Sequence, residues 1–137
     1  MELVINTDGA SRGNPGPSSY GYVIKDAKSS LIIHQEGQKI GHATNNVAEY
    51  TAVLKALEYV AKYLTKKAPH QIEVIADSQL IAQQLAGNFK IKHPKLKPIF
   101  EQIKIIEMEL GGVVHYRNVP RAQNFLADRL ANQALDR

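Results

Sequence analysis

Apolar residues change their spacing several times along the chain, and each change marks an element. Leu3-Val4-Ile5-Asn6-Thr7 is β-branched and apolar and predicts a buried strand. It stops at Asp8 and opens into Gly9-Ala10-Ser11-Arg12-Gly13-Asn14-Pro15-Gly16-Pro17, where Pro15 and Pro17 are expected to keep a loop out of the sheet. Residues 20–25 and 31–36, the second run continuing toward Ile40, flank a polar turn and predict an antiparallel hairpin. From Thr44 the period lengthens. Val47, Tyr50, Leu54, Leu57, Ala61 and Leu64 recur at helical spacing, Thr44, Asn45 and Asn46 are suitable caps, and Pro69 is expected to end the element.

The second half alternates. Residues 71–76 predict a fourth strand ending at Asp77, followed by a short helix over 78–86 that Gly87-Asn88 stops. Pro94 and Pro98 punctuate a lysine-rich segment, and Ile99, Ile103, Ile106 and Leu110 then mark a helix ended by Gly111-Gly112. Residues 113–117 predict a fifth strand. After Pro120 comes a last helix over about 123–135, with Phe125, Leu126, Leu130 and Ala134 expected on its buried side. The order βββαβααβα implies an α/β fold: a five-stranded mixed sheet, antiparallel at first and then parallel through right-handed crossovers, with helices on both faces.

Composition narrows the class without naming it. At 137 residues the chain is expected to form one domain over 1–137, large enough for a real core. Hydrophobic residues make up 44% and charged residues 22%, which is ordinary for a globular protein. No apolar run approaches the roughly 18 residues a membrane span needs, and no signal-peptide pattern is seen, so no membrane partner and a cytoplasmic location are expected. The absence of cysteine excludes disulfides and thiolate metal sites and fits a reducing compartment. A net charge of +4 mildly favours a polyanionic partner.

Four acids are candidates for chemistry, and each has a plainer explanation. Asp8 could begin a turn, Glu49 could be the capping-box partner of Asn46, Asp77 could cap the helix it precedes, and Asp128 could complement a helix dipole. Together they read differently. If the first and fourth strands are parallel neighbours, Asp8 and Asp77 emerge side by side at the sheet edge where open α/β sheets bind ligands. Two carboxylates about 4 Å apart repel by roughly 4 kcal/mol at an effective dielectric of 20. Such a cluster needs a cation, and all-oxygen ligation suits Mg²⁺ or Mn²⁺.

The motifs resemble those of type 1 ribonucleases H. The stretch from Asp8 to Pro17 is similar to the family's opening motif. Thr44-Asn45-Asn46-Val47-Ala48-Glu49 resembles the helix motif with its glutamate, Asp77-Ser78-Gln79 the third motif, and Ala127-Asp128-Arg129-Leu130-Ala131-Asn132 the last. The resemblance covers essentially the whole chain, in order. It implies a ribonuclease H-like fold and a catalytic, metal-holding set of Asp8, Glu49, Asp77 and Asp128 with two Mg²⁺ ions, Mn²⁺ being a substitute. It further implies cleavage of the RNA strand of RNA/DNA hybrids, leaving 3′-hydroxyl and 5′-phosphate ends. Asn14, Asn45, Asn46 and Gln79 match residues that contact the hybrid's minor groove, partly through 2′-hydroxyls, and Thr44 matches one that helps hold a DNA phosphate. A monomer is expected. Double-stranded RNA stands as a second candidate substrate, and a non-catalytic hybrid-binding module is the rival reading from another class.

Two departures qualify the resemblance. Many relatives carry a mobile histidine before the last aspartate, whereas Val119-Pro120-Arg121-Ala122-Gln123-Asn124 has none. Arg121 is the nearest candidate there. It stays protonated, so a role in phosphate binding or product release is expected rather than one as a base. His115, on the fifth strand, is read as structural. Longer relatives also insert a basic helix and loop; here the segment 87–98 is short but keeps Lys90, Lys92, Lys95 and Lys97, which predicts weak, salt-sensitive hybrid binding.

Overall fold

The computed structural model describes residues 2–64 and 71–137. Five strands, β1 (Glu2–Ser11), β2 (Gly16–Asp26), β3 (Ile32–Ala43), β4 (Gln71–Ala76) and β5 (Val114–Asn118), form one sheet in the order β3-β2-β1-β4-β5. The helices are α1 (Asn45–Tyr63), α2 (Gln79–Leu85), α3 (Leu96–Glu109) and α4 (Phe125–Leu135), the last entered through a 3₁₀ turn at Arg121–Asn124. This is the anticipated order and mixed topology: β1–β2 and β2–β3 pair antiparallel, β1–β4 and β4–β5 parallel. The expectation that Pro69 ends the first helix lies outside the described residues.

Glycines set how closely the helices approach the sheet. A Cβ on Gly9 of β1 would lie 2.4 Å from the Glu49 backbone nitrogen and 2.5 Å from the Ala48 carbonyl carbon, so α1 rests directly on the strand. A Cβ on Gly21 would meet the Ala127 carbonyl oxygen at 2.5 Å, and one on Gly37 the Leu130 carbonyl oxygen at 2.4 Å, which brings α4 down onto β2 and β3. Leu3, Ile5, Tyr22, Ile24, Tyr50, Val53, Leu57, Ile72, Ile81 and Ile103 fill the core. Their burial supplies most of the favourable free energy, at roughly 25 cal/mol per Å² of apolar surface.

Four expectations need correction. Asp8 does not end a strand: β1 continues to Ser11, because Asp8 pairs with Gly21 and Ser11 with Ser18 on the long β2. Pro17 lies inside β2 opposite His42, and its carbonyl accepts from Arg12 N at 2.8 Å; a proline near the start of a strand loses little of the ladder. Only residues 12–15 remain as loop. Helix α3 starts at Leu96 and takes Pro98 into its first turn, where a missing N–H has no helical acceptor to lose. On α4, Ala134 is buried as expected, but Ala127 and Ala131 join it while Phe125 is exposed and Leu126 and Leu130 are half-buried, because the backbone of α4 approaches Gly21 and Gly37 directly.

Candidate active site

The sheet brings three of the four acids to one point. Strand β1 is central, and its parallel register with β4 pairs Asn6 with Ile75; continued two residues further, it sets Asp8 level with Asp77. Glu49 stands in the second turn of α1, where the helix backbone rests on Gly9. Carboxylate oxygens of Asp8, Glu49 and Asp77 all lie within 4.8 Å of one another. The plainer roles for these acids fall to neighbours. The helix α1 is capped by Thr44, whose Oγ1 accepts from Val47 N at 3.2 Å, so Glu49 is no capping-box partner. Ser78 caps α2 by accepting from Ile81 N at 3.3 Å, leaving Asp77 free of that duty.

Burial makes this trio expensive without a cation. Asp8 is 1% exposed; its Oδ1 accepts from Gly9 N at 3.0 Å. Its Oδ2 is, among the described residues, the buried side-chain polar atom with no hydrogen-bond partner. Burial first, then the charges of Glu49 and Asp77, push its pKa up to about 9, with Asp128 adding to the shift. Glu49 is pushed up to about 8, chiefly by burial and then by Asp77, with Arg121 opposing. Asp77 is raised by burial as well, again against Arg121. Two ionised carboxylates 4.8 Å apart repel by about 3 kcal/mol at an effective dielectric of 20. An all-oxygen donor set with an unpartnered buried carboxylate oxygen fits a hard divalent cation.

Asp128 adjoins the trio, raising the pKa of both Asp8 and Asp77, and has polar partners of its own. It lies in the first turn of α4, where the dipole favours its charge, and its Oδ1 accepts from Arg121 Nη2 at 3.0 Å and Asn132 Nδ2 at 3.1 Å. Arg121 also approaches Asp77, Nε to Oδ2 at 3.9 Å, while remaining 70% exposed. Behind Asp8, the buried Asn124 accepts from Asn6 Nδ2 at 3.0 Å and donates to the Thr7 carbonyl at 2.8 Å, tying the loop before α4 to the strand that carries Asp8.

The polar residues singled out in the sequence are divided between two places. Asn14 and Asn45 meet, Asn14 Oδ1 accepting from Asn45 N at 3.0 Å, and Asn14, Thr44 and Asn46 line a cleft of about 170 Å³ with His93 and Leu96. Gln79 is the exposed first residue of α2, two positions after Asp77. His115 borders two other clefts away from the trio. Sequence reasoning passed over Asn124, Asn132 and His93. Asn132 stands four residues after Asp128, a one-turn spacing that could have flagged it; Asn124 and His93 carry no local signal.

Comparison with known proteins decides what this arrangement belongs to. Residues 6–134 match the family model described as "Reverse transcriptase-like". LC11-RNase H1, solved in complex with an RNA/DNA hybrid, superposes with a TM-score of 0.92 at 42% identity, covering 98% of this chain and 96% of that one. The chain belongs to the type 1 ribonuclease H family. A protein of Mycobacterium tuberculosis named as bifunctional is 42% identical over 136 residues, which is 99% of this ribonuclease H chain and 36% of that protein. Ribonuclease HI of Halobacterium salinarum is 41% identical over 133 residues, 94% of this chain and 62% of that one. The chain thus spans between about a third and three fifths of these two relatives. Among the described residues, no helix of this ribonuclease H chain is long and apolar enough to cross a membrane.

Proposed function

We propose that this chain is an endoribonuclease that cuts the RNA strand of RNA/DNA hybrids, leaving 3′-hydroxyl and 5′-phosphate ends. The observation that carries the reading is the buried, unpartnered Oδ2 of Asp8 beside Glu49 and Asp77, in a chain of the type 1 ribonuclease H family. Asp8, Glu49 and Asp77, with Asp128 as fourth ligand, would hold two divalent cations, Mg²⁺ or in its place Mn²⁺. Such a pair, when bound, supplies an activated water and neutralises charge at the leaving oxygen. The protein's part is to keep the carboxylate oxygens fixed at one point, where bound cations would offset the burial and mutual repulsion that otherwise favour their protonated forms. Backbone pairing of β1 to β2 and the Asn124 bridge serve that fixing.

Substrate choice falls to the neutral donors. Asn14, with Oδ1 already committed to Asn45 N, keeps an amide NH₂ to donate; Thr44 keeps its hydroxyl hydrogen. Asn45, Asn46 and Gln79 complete a set that can read a 2′-hydroxyl while ignoring base identity. Arg121 steadies a phosphate or assists product release. The chain acts as one domain over 1–137, as a monomer in the cytoplasm, with double-stranded RNA as a secondary substrate. The test is a labelled hybrid incubated with and without Mg²⁺, using the purified chain and its Asp77→Asn variant. Mg²⁺-dependent cutting of the RNA strand that vanishes in the variant supports the reading; hybrid binding without cutting refutes it.

A further inference from the structure

Of the four acids, one is spoken for. Asp8, Glu49 and Asp77 share a 4.8 Å cluster, whereas the Oδ1 of Asp128 receives the Arg121 guanidinium at 3.0 Å. Arg121 pairs with both Asp77 and Asp128, but unequally: its contact to Asp77 is 3.9 Å, beyond hydrogen-bonding reach. The guanidinium cannot be removed by deprotonation near neutral pH, so it leaves Asp128 only by moving. Its exposure, 70%, means that it can move without opening the core. Asn132 stays behind on the same helix, donating to the Asp128 oxygen at 3.1 Å and keeping the carboxylate in place.

Resting on the reading of the four acids as cation ligands, we propose that Arg121 is a latch on Asp128. Its guanidinium and a second divalent cation compete for the same carboxylate, so the site fills in order. The Asp8–Glu49–Asp77 side takes its cation first, and the Asp128 side fills only as Arg121 withdraws. Arg121 is thereby a positioning residue, acting through Asp128. This differs from a general field effect, in which one nearby positive charge weakens both cation sites alike.

Calorimetric titration of Mn²⁺ into the purified full chain tests this without any turnover. The expected wild-type isotherm has two unequal events. Arg121→Gln tightens the weaker one by about three- to fivefold, the scale of one exposed ion pair, and moves the stronger one less than about twofold. In an Asp128→Asn background the same Arg121→Gln change has no effect on either event. Equal tightening of both events, no change in either, or a tightening that persists in the Asp128→Asn background overturns the latch. Ordered Mn²⁺ binding by a protein that cuts no duplex supports the latch while refuting the proposed nuclease activity. A wild-type chain that binds no Mn²⁺ refutes both.

Discussion

Replacing Asp8 with Asn should make the metal-free protein more stable as it destroys the site. In the fold, burial and the neighbouring acids push the Asp8 carboxyl up to about 9 from an ordinary value of 3.8. Because the folded value is the higher one, the native state holds a proton that the unfolded chain releases over this range. Stability is therefore fully present below about pH 4 and falls as pH rises toward 9. At pH 7 the span from 3.8 is about 3 units, and at 1.36 kcal/mol per unit the wild type forfeits about 4 kcal/mol to Asp8. Asn is neutral in both states and escapes the loss. Its Oδ1 can keep the bond from Gly9 N, and its NH₂ puts a donor near the Glu49 and Asp77 oxygens. Glu49 is also raised, chiefly by burial and then by Asp77, both of which remain in the variant, so most of its contribution drops out of the difference. Urea unfolding of both proteins in chelator at pH 4, 5.5, 7 and 8 reads the effect. The stability gap should widen in favour of Asp8→Asn by about 1.4 kcal/mol per pH unit. A gap constant to within about 1 kcal/mol across that range, or a wild type that gains on the variant as pH rises, refutes the reasoning.

Three further outcomes follow from packing and charge. Gly9→Ala drives a methyl group into the α1 backbone at Ala48 and Glu49, so urea unfolding should show a loss of about 3 kcal/mol or more, and Mg²⁺ affinity should weaken because Glu49 is displaced. Asn124→Ala strands the buried Asn6 amide and the Thr7 carbonyl, with an expected cost of about 2 to 4 kcal/mol in the same measurement. Hybrid binding, measured by fluorescence anisotropy in Ca²⁺ between 50 and 200 mM salt, should weaken with salt, and replacing Lys92 and Lys95 with Gln should lower the slope of log Kd by about 2 if both neutralise phosphates.

The sequence made the element order legible because strands and helices differ in apolar period, and it made the four acids legible because they fall in four motifs that follow one another in order along the chain. What it concealed depends on partners far along the chain. The run through Asp8 and Gly9 looks like a turn locally, since both residues are poor strand formers. Pairing with residues 18–21 of β2 extends the strand regardless, and this puts Asp8 inside the sheet rather than at its end. The buried side of α4 was misjudged because hydrophobicity points to Phe125, Leu126 and Leu130. Ala134 is buried as expected, but the bare backbones of Gly21 and Gly37 bring Ala127 and Ala131 to the sheet in place of those three. Helix caps were ambiguous where several capable residues adjoin, and only geometry chose Thr44 over Asn46 and Ser78 over Asp77. The Arg121–Asp128 contact has no spacing signature, because a 3₁₀ turn rather than a continuous helix separates the two.

The claim that the polar residues around Asn14, Thr44 and Gln79 select an RNA strand paired to DNA is tested most directly by one measurement. Equal concentrations of RNA/DNA, RNA/RNA and DNA/DNA duplexes, each strand labelled in turn, are incubated with the purified chain and Mg²⁺, and the product ends are identified. The account predicts fastest cutting in the RNA strand of the hybrid, with 3′-hydroxyl and 5′-phosphate ends and an intact DNA strand. Cutting of DNA/DNA at a comparable rate, or of both strands of the hybrid, would contradict it.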